Sequence, residues 1–217
     1  MQKTQVRRTK QQQREASVAK ILDAAEHLFI TKGFHATTTE EIGVRAGLTK
    51  GSVYFYFEDK TSLLLTLLER VHAGVLVPLI EKLDESSGTP AERIWAFLSH
   101  QSKLAIESPA MLLLPIIVSI EFAGTEELPE KRVKWGYRRT AQLLAKAIVD
   151  GQAKGVFRAD LGAEQQASMI LALNDGTMLE WWRSSREETG KGLFDAMYAV
   201  LLSGITVSGV DIKPRKR

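Results

Sequence analysis

The sequence predicts an all-α protein, an N-terminal three-helix helix-turn-helix domain continuous with a larger helical domain, about nine helices in 217 residues. Three observations carry this. Apolar residues recur at three- and four-residue spacing along almost the whole chain after Gln13. The segments between carry helix starters and stoppers, threonine or aspartate before and glycine after. No stretch alternates apolar and polar residues over a useful length, and no fixed-period repeat occurs.

Val18, Ile21, Leu22, Ala25, Leu28 and Phe29 set one face of a first helix. Gly33 ends it where a left-handed residue costs glycine little, and Phe34 follows as the apolar contact. Thr38 and Glu41 have the capping-box spacing and start a short helix over about 39–46, ended by Gly47. Thr49 is a second N-cap, for a third helix from Lys50 to about Tyr56. Asp59 caps a longer fourth helix with Leu63, Leu64, Leu67, Leu68, Val71 and Val75 inside. Pro78 is expected to kink or break it, because the ring clashes one turn back and its N–H is missing. Ser86-Ser87-Gly88-Thr89-Pro90 reads as a loop with a Thr N-cap and Pro at the first helical position. Helices follow over about 90–107, 109–122 (irregular at Pro115), 129–154, 163–184 and 191–204, with Gly155 a C-cap and 156–162 a connector.

Composition narrows the function. Hydrophobic residues at 44% and charged residues at 25% suit a soluble chain with a core. The absence of cysteine excludes disulfides, thiol nucleophiles, iron–sulfur clusters and cysteine-type zinc sites. The first seventeen residues are hydrophilic, and the longest stretch without charge in the apolar middle, Ser108–Ile120, is thirteen residues against the roughly 20 a membrane span needs. A cytoplasmic protein without a membrane partner is expected. The histidines His27, His35, His72 and His100 form no metal-binding pair, and no serine elbow or phosphate loop is present. Glu126, Glu127 and Glu130 stand beside a helix start and read as dipole partners, while Glu187-Glu188 has no base nearby. No catalytic set, metal or cofactor is expected.

Net charge is only +3, but it is unevenly placed. Residues 1–20 hold Lys3, Arg7, Arg8, Lys10, Arg14 and Lys20 against Glu15, and the tail holds Lys213, Arg215, Lys216 and Arg217 against Asp211. Residues 61–204 are net negative, so a polyanion would meet the ends and not the body. The expected organisation is a basic disordered arm over 1–13, a helix-turn-helix domain over 14–60, a helical domain over 61–205 and a basic tail over 206–217.

Ile42, Ala46, Leu48 and Val53 pack the two short helices near a right angle, with Gly47 supplying the corner. That leaves the outer side of Lys50–Tyr56 free to enter a major groove about 12 Å wide. Thr49, Lys50, Gly51, Ser52, Tyr54, Phe55 and Tyr56 offer short hydroxyls, one cation, aromatic hydroxyls and a position without a side chain. Phe57 is expected inside, Tyr54 and Tyr56 outside.

The segment Ala36–Leu63, with Thr37-Thr38-Thr39-Glu40-Glu41-Ile42-Gly43, Ala46-Gly47-Leu48-Thr49-Lys50-Gly51-Ser52-Val53-Tyr54, Tyr56-Phe57 and Lys60, resembles the DNA-binding domain of TetR-type, tetracycline-repressor-like regulators. The helix before it, with Ile21, Ala24, Ala25, Leu28, Phe29 and Gly33-Phe34, is similar to that family's first helix, so the likeness spans about 18–65. Gly43 stands where the family has alanine, at an expected cost of roughly 1 kcal/mol in helix stability. The resemblance implies that Thr38, Tyr54 and Lys60 hold phosphates, that Lys50, Ser52 and Phe55 or Tyr56 face base edges, and that Thr49 and Gly51 touch the DNA backbone. Phosphate contacts set register and base-edge contacts read sequence. Asn174-Asp175-Gly176 is similar to a stretch in the family's penultimate helix.

The larger domain carries two expectations. Helix 163–184 is apolar on two sides and the last helix behaves similarly, which calls for a second surface besides the core. The resemblance implies a C2 four-helix interface, assigned to Met169, Leu173, Gly176, Thr177, Phe194, Met197 and Leu201. A pocket for a small, mostly apolar effector is assigned to Trp95, Leu98, Gln101, Met111, Ile116, Trp135, Gln142, Asn174 and Met178. Any one of these reads more readily as satisfied core, and the resemblance tips the domain toward a pocket. The expected function is a homodimeric repressor released from a pseudo-palindromic double-stranded DNA operator by that effector. The alternatives are a ligand-independent DNA-binding dimer, or a helical carrier or enzyme with a vestigial helix-turn-helix.

Overall fold

The structure, a computed structural model, describes residues 9–83, 88–184 and 190–207. Lys3, Arg7, Arg8, Ser86, Ser87, Glu187, Glu188 and the tail charges Asp211, Lys213, Arg215, Lys216 and Arg217 lie outside the described residues. Nine helices fill the rest: α1 Lys10–Lys32, α2 Thr39–Arg45, α3 Lys50–Tyr56, α4 Lys60–Lys82, α5 Pro90–Glu107, α6 Ala110–Glu121, α7 Leu128–Ala153, α8 Ala163–Arg183 and α9 Gly190–Ile205. Among the described residues the one β feature is an isolated antiparallel bridge between Phe157 and Thr206. The chain divides into two compact units, Met1–Leu68 and Glu69–Arg217. The division falls inside α4, beyond the boundary expected at 60–61.

In the first unit, α1 begins at Lys10 and not after Gln13. Thr9 and Gln12 form a capping box, the Thr9 hydroxyl accepting from the Gln12 N–H at 3.2 Å and the Gln12 side-chain Oε1 accepting from the Thr9 N–H at 2.9 Å. Lys10–Gln13, assigned to a disordered arm, are therefore helical. Ile21, Leu22, Ala24, Ala25 and Phe29 face inward, and Phe34 packs its ring 5.2 Å from that of Phe29 after the Gly33 stop.

Pro78 does not break α4. Residues His72–Leu76 form a π turn between the α-helical stretches Lys60–Val71 and Val77–Lys82. The ring has no N–H for the carbonyl of Gly74 one turn back, and the slipped register absorbs the mismatch. Among the described residues α4 is the single helix long and apolar enough to cross a membrane, yet Leu63, Leu64, Leu67, Leu68, Leu76 and Leu79 are buried in the protein.

The second unit is built on α5, α7, α8 and α9, with Phe97, Leu98, Ile148, Phe157, Ile170 and Leu201 in one core. Thr89 caps α5 in a box with Glu92, ahead of Pro90 at the first turn. Gly155 closes α7 with a left-handed φ of 66°, its neighbour Val156 donating back to the Gly151 carbonyl at 2.8 Å. A Cβ on Gly151 would overlap the Phe157 ring, so the glycine is what lets the connector fold under α7. Gln152 and Gln166 each donate to the carbonyls of Arg158 and Leu161, satisfying the connector from both flanking helices. Thr206 and Val207, expected to start a free tail, are tied down: the Val207 N–H donates to the Val156 carbonyl at 3.1 Å.

Glu130 is 3% exposed, and its carboxylate accepts from the Gly124 and Glu126 N–H groups at 2.7 Å each and pairs with Lys134 at 2.7 Å. It holds the loop before α7, a more specific task than the dipole partnership expected of it. Lys134, then the Gly124 N–H, hold its carboxyl down to about 2.

Candidate functional site

The corner between α2 and α3 is set by two backbone bonds and two glycines. Leu48 N–H reaches the Gly43 carbonyl at 2.8 Å and Gly47 N–H the Val44 carbonyl at 3.1 Å, the paired bonds of a Schellman stop. Gly47 takes φ 67°, which only glycine adopts without cost. Gly43 is buried where α2 meets the start of α3: a Cβ there would lie 3.1 Å from the Thr49 carbonyl carbon and 3.2 Å from the Lys50 nitrogen. Its glycine thus brings the two helices close, a role beyond the helix-propensity cost expected from sequence. Ile42 and Val53, at 0% and 1% exposure, are the core of the corner.

With Val53 turned in, the opposite side of α3 faces out. Lys50 and Gly51 are exposed, Tyr54 is 49% and Phe55 78% exposed, and Ser52 and Tyr56 are half-buried. Phe57 is also half-buried, not the core residue expected. The Phe55 and Tyr56 rings meet edge to face at 5.0 Å, which fixes both without burying Phe55. Thr49 caps α3 by accepting from the Ser52 N–H at 3.1 Å, and the two hydroxyls sit 2.9 Å apart. Val44, 74% exposed on α2, was not singled out from sequence. The burial of Ile42, Gly43 and Ala46 in so short a helix leaves Val44 outside, and that spacing is the signal that would have found it.

The Thr38 hydroxyl accepts from the Glu41 N–H at 3.2 Å while the Thr38 N–H donates to the Glu41 carboxylate at 2.8 Å. Glu41 also pairs with Lys32 at the end of α1, and Lys32, then the Thr38 N–H, hold its carboxyl down to about 2. The Thr39 hydroxyl donates to the Tyr54 oxygen at 3.1 Å, linking α2 to α3. Lys60 turns inward. Its ammonium donates to the carbonyls of Phe34 at 2.6 Å, Thr37 at 2.7 Å and His35 at 3.4 Å and lies 4.3 Å from the Phe34 ring centre. Lys60, expected as a phosphate contact, thus ties down the turn that carries Thr38.

The second unit contains a cleft of about 410 Å³, counting its open mouth, between α5, α6, α8 and α9. Gln101, Asn174 and Met178, three of the residues assigned to an effector, line it. The other six do not. Leu98 is fully buried in the core and Ile116 is 6% exposed. Trp95 packs on the core, and Met111 lies against Gly74, where a Cβ would meet its sulfur at 2.8 Å. Trp135 is 48% exposed with its ring 5.4 Å from that of His72, and Gln142 is exposed. These six carry the same residue types, but the rotation of α5, α6 and α7 about their axes, which sequence did not settle, turns them elsewhere. Ser102, Ala105, Ile106, Leu112, Trp181 and Leu193 line the cleft unforeseen.

Comparison with known proteins settles the family. Residues 21–67 match the pattern described as bacterial regulatory proteins, tetR family. The probable HTH-type transcriptional regulator ArpR of Pseudomonas putida is 40% identical over 184 residues, 81% of this chain and 84% of that one. The chain belongs to the TetR family. The crystal structure of the MbdR regulator from Azoarcus sp. CIB superposes with a TM-score of 0.80 at 39% identity, covering 88% of this chain and all of that one. The HTH-type transcriptional regulator TtgR of Pseudomonas putida is 29% identical over 81% of this chain and 84% of its own. As a TetR-family protein the chain is a DNA-binding transcriptional regulator, with α2 and α3 as its helix-turn-helix.

In this TetR-family regulator the residues assigned to a dimer face split. Met169, 58% exposed, and Gly176 lie outside on α8, and Leu173 is half-buried. Thr177, Phe194 and Met197 line the cleft, and Met197 and Leu201, at 8% and 4% exposure, belong to the chain's own core. The face of α9 that stays outside is marked by Val200, 64% exposed. Positions 194, 197 and 201 thus share one inward stripe, with Val200 on the exposed side of α9.

Proposed function

We propose that this TetR-family regulator is a homodimeric repressor that binds a pseudo-palindromic operator and is released from it by a small, mostly apolar molecule. The observation that carries the reading is the outward face of α3, where Lys50, Gly51, Tyr54 and Phe55 are exposed around a Val53 held at 1% exposure. An exposed phenylalanine is costly in water and suits contact with thymine methyl groups or sugar edges in a groove. Lys50, Ser52 and Phe55 or Tyr56 read base edges in this account; Thr49, Gly51, Thr38 and Tyr54 hold the DNA backbone. A helix-turn-helix gains specificity by pairing, since two half-sites stand roughly 34–36 Å apart. The exposed side of α8 and α9, marked by Met169, Gly176 and Val200, is the surface that pairs the chains. The protein works in the cytoplasm, with its DNA, and carries no catalysis.

The cleft in the larger unit supports an effector site. Binding there favours one arrangement of α4, and the two α3 helices leave their operator spacing; a ligand drives this only through unequal affinity for the two arrangements. A similar structure is that of AibR in complex with isovaleryl coenzyme A and operator DNA. The test is selection of bound sequences from a random duplex pool, followed by titration with apolar compounds under fluorescence anisotropy. A two-fold symmetric selected site and compound-dependent release are expected; an asymmetric single half-site, or binding that no compound alters, contradicts the dimer and effector parts respectively.

A further inference from the structure

We infer that the effector is an uncharged, largely apolar molecule that donates a hydrogen bond to Gln101. This rests on the reading of the cleft as the effector site. Gln101 lines the cleft on α5, is 6% exposed, and its Oε1 meets no donor among the described residues. A buried amide oxygen left unmatched is costly, and a bound hydroxyl or N–H removes the cost. Among the described lining residues none is Lys, Arg, His, Asp or Glu. A carboxylate, phosphate or ammonium brought into these walls would lose its water and find no counter-charge. The remaining polar groups, Ser102, Asn174, Thr177 and the Trp181 indole N–H, are neutral. Phe194, stacked on Tyr198 with ring centres 6.4 Å apart, Trp181 and Met178 supply flat, polarisable walls suited to an aromatic or polycyclic skeleton.

Asn174 also connects the cleft to its surroundings. Its neighbour in the chain, Asp175, accepts from the Tyr137 hydroxyl of α7 at 2.7 Å. A ligand that moves Asn174 therefore disturbs the α7–α8 contact as well.

The test uses the full chain and three probes of one skeleton: naphthol, methoxynaphthalene and naphthoate, with affinities by calorimetry and release of the selected operator by anisotropy. Naphthol is expected to bind about tenfold tighter than its methyl ether, which has no donor. Naphthoate is expected to bind about a hundredfold more weakly than naphthol. Gln101→Leu brings the naphthol-to-ether ratio to about one. The variant folds, because it removes a buried acceptor that had no donor. Naphthoate binding as well as naphthol, an unchanged ratio in Gln101→Leu, or no binding by any probe overturns the inference. Naphthol binding without operator release supports the ligand class and overturns the effector reading instead.

Discussion

The His100 Nε2 lies 3.3 Å from the carbonyl oxygen of Gly74, inside the π turn of α4. A histidine on α5 thus bonds the backbone where the helix changes register ahead of Pro78. Burial, the largest influence, holds the His100 pKa below its ordinary 6.5, and the bond to Gly74 partly opposes this. The unfolded chain takes a proton below about 6.5 and the folded chain resists it, so the stability due to His100 is full above 6.5 and is lost as pH falls through the lowered value. His100→Leu is expected to lower stability at neutral pH by about 1 kcal/mol, from the unmet carbonyl, and to flatten the fall in stability on acidification. Urea melts of both proteins at several pH values check this; parallel curves would contradict it.

Gly47 at φ 67° has no atom within 4 Å of an added Cβ, so space is not its constraint. Gly47→Ala is expected to cost about 1 kcal/mol through backbone strain alone. The measurement is thermal melting; an unchanged or higher midpoint would show that the corner opens easily.

Gly151 has the opposite problem, an ordinary helical position with the Phe157 ring where a side chain would go. Gly151→Ala is expected to cost about 1–3 kcal/mol by overpacking, and Phe157→Leu is expected to recover part of that loss in a double-mutant cycle. Purely additive losses would mean that the two residues do not meet.

Glu41 and Glu130 are both held down to about 2 from an ordinary 4.5. Lowered carboxyls stabilise the folded state fully above 4.5, and that contribution is lost as pH falls from 4.5 toward 2. Glu130→Gln and Glu41→Gln are each expected to lessen the acid sensitivity of the melting temperature in that window and to lower it at neutral pH. Unaltered acid profiles in both variants would contradict the assigned bonds.

The helices were legible because their ends carry local chemistry. Thr38 with Glu41, Thr49, Thr89 with Pro90, Gly47 and Gly155 act within four residues, and each sits at the end that it was read to mark. Thr9 with Gln12 is the same signal in its less usual glutamine form. Tertiary facts were not legible. Nothing local says that Gly43 faces the Thr49 carbonyl, that Lys60 meets the Phe34 turn, or that Met197 turns inward while Val200 turns out. The cleft was read from residue type, and type alone separates Gln101 and Asn174 from Gln142 no better than chance of rotation allows.

The central claim is that the outward side of α3 reads DNA sequence, and Lys50→Ala tests it most directly. Anisotropy titrations of wild type and variant on the selected operator and on a scrambled duplex at one fixed salt concentration give four affinities. The account predicts a loss of about 1–3 kcal/mol on the operator, roughly tenfold or more, with a much smaller loss on the scrambled duplex. Equal losses on both duplexes would make Lys50 a phosphate contact and contradict the claim.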